Sequence, residues 1–154
     1  MAGHCTNWEG ASVRSGKEAR IEMVPQEHVL RAAFIAGAVT DTLAIVPMVV
    51  APVAKLLWGF DDASGAYRFA MGYAASLMLG WTALLVWAAQ RPLERRFVAT
   101  LTVLVICGLI LTEVVAVLSG ALAAWRIAPT WGVQAILLGL FAGAVLRERV
   151  SAPR

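Results

Sequence analysis

Four long apolar runs divide the chain, separated by short joins rich in charge, glycine, proline and tryptophan. The runs cover about 29–57, 67–89, 97–124 and 130–146. A bilayer-spanning helix needs about 20 apolar residues, with roughly 17–25 observed. The fourth run just suffices, and the first and third have residues to spare for tilt or interfacial turns. None alternates with the period of a barrel strand, and a helix satisfies its own backbone groups in lipid. The pattern predicts an all-α membrane protein, a four-transmembrane-helix bundle over 25–147. A flexible cytoplasmic tail is expected over 1–24 and a short cytoplasmic C-terminal tail over 148–154. Pro25 is expected in the first turn of the first helix, where its missing N–H does no harm.

The joins fit this division. Trp58 to Gly65 forms an aromatic loop carrying Asp61 and Asp62, and Gln90 to Arg96 a short basic turn with Pro92. Trp125 to Trp131 is expected to be a third turn, at the interface, where aromatic side chains gather. Charge gives the orientation. Arg14, Lys17, Arg20, Arg31, Arg91, Arg95, Arg96, Arg147, Arg149 and Arg154 lie on one predicted side, against Lys55, Arg68 and Arg126 on the other. The positive-inside rule then places both termini and the middle loop in the cytoplasm.

Composition agrees: 60% of the 154 residues are hydrophobic, against roughly 45–50% in soluble domains. The basic residues that give a net charge of +3 flank apolar runs. Lipid headgroups therefore fit them better than nucleic acid, and no nucleic-acid partner is expected. The expected setting is multi-pass in a cell (inner or cytoplasmic) membrane, with lipid as partner.

Two carboxylates interrupt the runs. Asp41, between Thr40 and Thr42, lies near the middle of the first, and Glu113 a little beyond the middle of the third. An ionised Asp at mid-bilayer costs at least ~2.5–3.5 kcal/mol, so it is expected neutral, paired, hydrogen-bonded or wetted by a cavity. Gly37, Ala38, Asp41 and Ala44 share one side at helical spacing, which should face other helices. Pro47 leaves the carbonyl of Leu43 without its helical donor. Thr40, Thr42 and that carbonyl then form an oxygen-rich surrounding for a proton or small cation. Both helices run outward, so Asp41 and Glu113 could share a cavity. Arg68 is the candidate ion-pair partner for the acids, and Gln134 a candidate interhelical hydrogen-bonder.

Small residues recur every fourth position: Gly72, Ser76 and Gly80 in the second run, Ala135, Gly139 and Gly143 in the fourth. Such stripes let backbones approach closely. Packing inside the bundle is the expected use, and contact with a second copy or another membrane protein the alternative. Other chemistry has little to stand on. His4 and Cys5 form an isolated pair short of a zinc set, and neither His4 nor His28 lies in a run, as haem ligation across helices would need. Ser76 and Ser119 have no histidine near them to act as base. No metal, cofactor or enzymatic activity is therefore expected.

The runs Tyr67 to Gly72, Leu79 to Thr82 and Arg91 to Arg96 resemble a group of small prokaryotic four-helix integral membrane proteins of unknown function. The similarity reaches from Gly37 through the fourth helix and implies the same architecture, with no substrate attached. Two functions fit the residues. One is a non-enzymatic structural or accessory bundle in which the acids hold helices together. The other is a small proton- or cation-coupled transporter using Asp41 and Glu113.

Overall fold

The structure, a computed structural model, describes residues 9–59 and 64–151, with side chains described over 26–59 and 64–146. These residues form five helices: α1 (Glu9–Val49), α2 (Ala51–Trp58), α3 (Gly65–Gln90), α4 (Phe97–Leu118) and α5 (Ala124–Ser151). Four segments are long and apolar enough to cross a bilayer: Gln26–Val49, Gly65–Gln90, Phe97–Leu118 and Ala124–Leu146. The protein is an all-helical, four-span bundle, as the apolar pattern predicts.

The element ends differ from the sequence expectation for identifiable reasons. The first run splits at Val50, which is extended (φ −104°, ψ 96°). Pro52 has no N–H for a carbonyl one turn back, so the chain restarts as α2, with the proline in its first turn. The start of the first helix also moves. α1 begins at Glu9, inside the stretch read as a tail, and Pro25 falls within the helix rather than at its start. Asp61, Asp62, His4 and Cys5 lie outside the described residues.

The third run stops earlier than expected, because Gly120 takes a left-handed φ of 74°. The amide of Ala121 then bonds the Ala116 carbonyl at 3.0 Å, a glycine-terminated helix end. The turn therefore falls at 119–123, and Trp125 to Trp131 is helical instead of a join. Pro129 sits inside α5 near its start. Ser64 caps α3, its hydroxyl oxygen accepting the Tyr67 amide at 3.2 Å.

The helices are arranged as an incomplete ring. α1 packs along α3 on one side and against α5 on the other, and α5 packs against α4. α3 and α4, although consecutive, touch only sparsely, so the ring is open between them. The buried core is Leu30, Phe34 and Ala38 of α1, Leu85 and Ala88 of α3, Val98 and Ile106 of α4, and Leu137, Phe141 and Ala144 of α5. Most of these residues lie toward the end that carries the α3–α4 turn. Phe34 and Phe141 meet there with ring centroids 5.6 Å apart and planes inclined at 54°. Gly37 permits this approach: a Cβ on it would lie 3.2 Å from Leu85 Cδ1 and 3.4 Å from Phe141 Cζ. In lipid, where apolar burial gives no driving force between helices, such close packing is what holds them together.

Candidate functional site

Asp41 is carried by α1 one turn beyond Gly37, and its surroundings follow from that spacing. Gly37 and Ala38 are buried in the core, whereas Asp41 and Ala44 are half-buried. The inward row of α1 thus leaves the tight end of the bundle at Asp41 and enters the end where α3 and α4 separate. A cavity of about 450 Å³ occupies that space. Gly37, Asp41 and Met48 form its α1 wall. Ala74, Met78 and Trp81 of α3, Thr102, Ile106 and Leu109 of α4, and Leu137 and Phe141 of α5 enclose most of the remainder. From Gly37 to Met48 the α1 wall rises about 16 Å at 1.5 Å per residue. The rim includes Leu77, Val105 and Leu109, all exposed on the bundle surface, so the cavity opens sideways through the gap in the ring.

The lining is apolar except for Asp41, Thr102 and the indole N–H of Trp81, which is buried without a partner among the described residues. The Thr102 hydroxyl already donates to the Val98 carbonyl at 2.8 Å. Asp41 is therefore the one ionisable group among the lining residues. No hydrogen bond or ion pair from the described residues reaches its carboxylate.

Two of the oxygens expected around Asp41 are committed elsewhere. The Thr40 and Thr42 hydroxyls turn back along α1, donating to the Ala36 and Ala38 carbonyls at 2.9 and 2.7 Å. Thr82, Thr112 and Ser76 bond their own helices in the same way. A hydroxyl in lipid needs an acceptor, and the carbonyl one turn back is the nearest.

Glu113 goes elsewhere. It accepts a 2.9 Å hydrogen bond from Gln134 Nε2, joining α4 to α5. Gln134 is 7% exposed, and Trp131 stands beside the same carboxylate. Glu113 follows Leu109 by one turn, and Gln134 precedes Leu137 by one turn. The pair thus forms a polar layer just beyond the cavity, toward the α4–α5 turn. Glu113 Oε2 and Gln134 Oε1 are buried without a partner among the described residues. The structure does not bring Glu113 into the cavity with Asp41, as the shared-cavity expectation required.

Arg68 joins neither acid. It is exposed on the first turn of α3, well round the helix from the inward row Ala74, Met78, Trp81 and Leu85, at about 100° per residue. The small-residue stripes are likewise displaced. Gly72, Ser76 and Gly80 are exposed on the α3 face opposite that row, and a Cβ on either glycine would meet nothing within 4 Å. Ala135 and Gly139 of α5 are exposed and Gly143 is half-exposed, opposite the row of Gln134, Leu137 and Phe141. A Cβ on Gly139 or Gly143 also meets open space. Packing inside the bundle, the expected use of these stripes, is not where the structure places them. The helix rotation is set instead by Phe34, Leu85 and Phe141, which need the interior volume.

Two further contacts lie at the ends of the bundle, and sequence reading assigned neither. Arg95 stacks 3.6 Å from the Trp87 ring centroid and donates to the Trp87 carbonyl. Arg126 lies 4.8 Å from the Trp125 ring centroid and reaches the Lys55 carbonyl at 3.4 Å, at the C-terminus of α2. A cation there complements the negative end of the helix dipole. Among the described residues no group of His, Cys, Asp and Glu could hold a metal ion.

No protein-family model, curated protein or solved structure matches this chain. Fold and site together define a multi-pass α-helical membrane protein with an acid-bearing cavity between its helices.

Proposed function

We propose that this is a non-enzymatic membrane protein that takes up and releases a proton or cation at Asp41, as a small transporter does. The observation that carries the reading is the position of Asp41 on the wall of a 450 Å³ cavity, without a bonded partner among the described residues. A carboxylate that serves to fasten helices needs a donor on a neighbouring helix. Glu113 has one in Gln134, and Asp41 does not. The two acids therefore divide the two roles: Glu113 fastens α4 to α5, and Asp41 exchanges its charge. Leaving Asp41 ionised and bare in the bilayer costs at least ~2.5–3.5 kcal/mol, and either a proton or a bound cation removes that cost. The excess of arginine and lysine on one side supports a cell-membrane protein with both termini and the α3–α4 turn in the cytoplasm.

Reconstituted vesicles test this. A pH gradient across vesicles bearing the wild-type chain drives a proton flux that Asp41→Asn abolishes and Glu113→Gln retains. Flux that persists in Asp41→Asn, or that is missing from the correctly folded wild type, refutes the proposal.

A further inference from the structure

The lining of the cavity restricts what can sit beside Asp41. A hard metal ion surrenders its water only to several oxygen ligands, about 6–8 for calcium and near-octahedral for magnesium. The cavity offers one carboxylate, plus a threonine hydroxyl already committed to its own helix. It cannot replace a hydration shell. A weakly hydrated organic cation has no such shell to replace, and its apolar body matches the rest of the lining. A volume of 450 Å³ falls within the roughly 300–1,000 Å³ of small-molecule sites. Trp81 of α3 and Phe141 of α5 supply aromatic rings to the lining, and ring faces attract a cation within about 6 Å of the centroid. Access also fits: the rim at Leu77, Val105 and Leu109 is exposed on the surface that faces lipid. An amphiphilic cation partitions into the bilayer and meets that opening directly.

We infer that the cavity is a binding site for a lipophilic organic cation, an ammonium or phosphonium with a bulky apolar body, whose charge pairs with Asp41. The inference rests on the reading of Asp41 as the exchanging group and adds the class of its ligand. Binding breaks the carboxyl O–H bond. The proton leaves to water, and the cation takes its place beside the carboxylate, so charge in the cavity stays balanced. No other titratable side chain lines the cavity from α1, α3, α4 or α5 among the described residues.

The test uses the purified full chain in phosphatidylcholine nanodiscs and radiolabelled tetraphenylphosphonium, with tetraphenylborate as the anion of the same shape. Wild type binds the phosphonium saturably, releases a proton per cation into weak buffer, and leaves the borate unbound. Asp41→Asn weakens phosphonium binding by about tenfold or more, equivalent to ~1.4 kcal/mol or more. Ala74→Leu narrows the same cavity from the α3 side and weakens phosphonium binding by a similar factor. Saturable binding that is unchanged in both variants overturns the inference. Equal binding of phosphonium and borate overturns it as well, and identifies an apolar slot of the kind a lipid acyl chain fills. Asp41-dependent proton flux without phosphonium binding removes the organic cation and leaves the proton reading standing. Absence of both removes the two together.

Discussion

Gly37 and Gly80 provide a paired perturbation whose difference isolates interior packing. Both lie within long helices, α1 and α3. Leucine at either site brings a similar gain in helix propensity over glycine, so that gain cancels in the comparison. Their surroundings do not cancel. A Cβ on Gly37 would lie 3.2 Å from Leu85 Cδ1 and within 3.5 Å of two Phe141 ring atoms, before the rest of a leucine is added. A Cβ on Gly80 meets nothing within 4 Å. Forcing extra carbons into a filled interior costs roughly 1–3 kcal/mol. Gly37→Leu is therefore expected to be less stable than Gly80→Leu by about 1–3 kcal/mol. Unfolding by sodium dodecyl sulfate from mild detergent, followed by far-ultraviolet circular dichroism, measures the difference. Equal stabilities, or a Gly80→Leu that is the weaker of the two, would refute the packing. The second result would also show that the α3 stripe is covered.

Three other sites give independent checks. A double-mutant cycle on Glu113→Ala and Gln134→Ala should give a coupling of about 0.6 kcal/mol, the average for interhelical hydrogen bonds in membranes, and zero coupling would remove the α4–α5 clasp. Gly59→Ala must hold a left-handed φ of 78° with its Cβ 2.8 Å from Arg126 Nη1; a loss of about 1–2 kcal/mol is expected in the same unfolding assay. Arg95→Ala removes the cation from the Trp87 face and should cost about 0.5–1 kcal/mol. It should also shift tryptophan emission, and the shift should vanish in a Trp87→Phe background.

The architecture was legible because lipid imposes a length and a composition on each span, and the four runs meet both. The helix ends were less so. Val50 breaks the first run because of Pro52, yet Pro25, Pro47 and Pro129 all lie within helices. A proline alone does not say whether the chain will restart or continue. The Gly120 stop could have been read from Ser119-Gly120, the only glycine near the end of that run. The inward face of α1 was legible from Gly37, Ala38 and Asp41, since a polar group in an apolar helix turns away from lipid. The faces of α3 and α5 were not. Their small residues marked one side, while the bulk of Leu85, Trp81 and Phe141 fixed the other side inward. Sequence spacing shows which residues share a face, and only the partner helix decides which face is used. The same holds for the acids. They were read as possible neighbours in one cavity, but Gln134 pairs with Glu113 because α5 lies against α4, and that neighbour relation is a property of the assembled ring.

Infrared difference spectroscopy of the carboxyl stretch tests most directly whether Asp41 exchanges its charge in the cavity. Spectra recorded as the reconstituted protein passes between low and high pH should contain a protonated-carboxyl band that is lost on ionisation. One component of the band should survive in Glu113→Gln and be missing from Asp41→Asn. A difference spectrum that is unchanged in Asp41→Asn would place the exchanging group elsewhere and contradict the account.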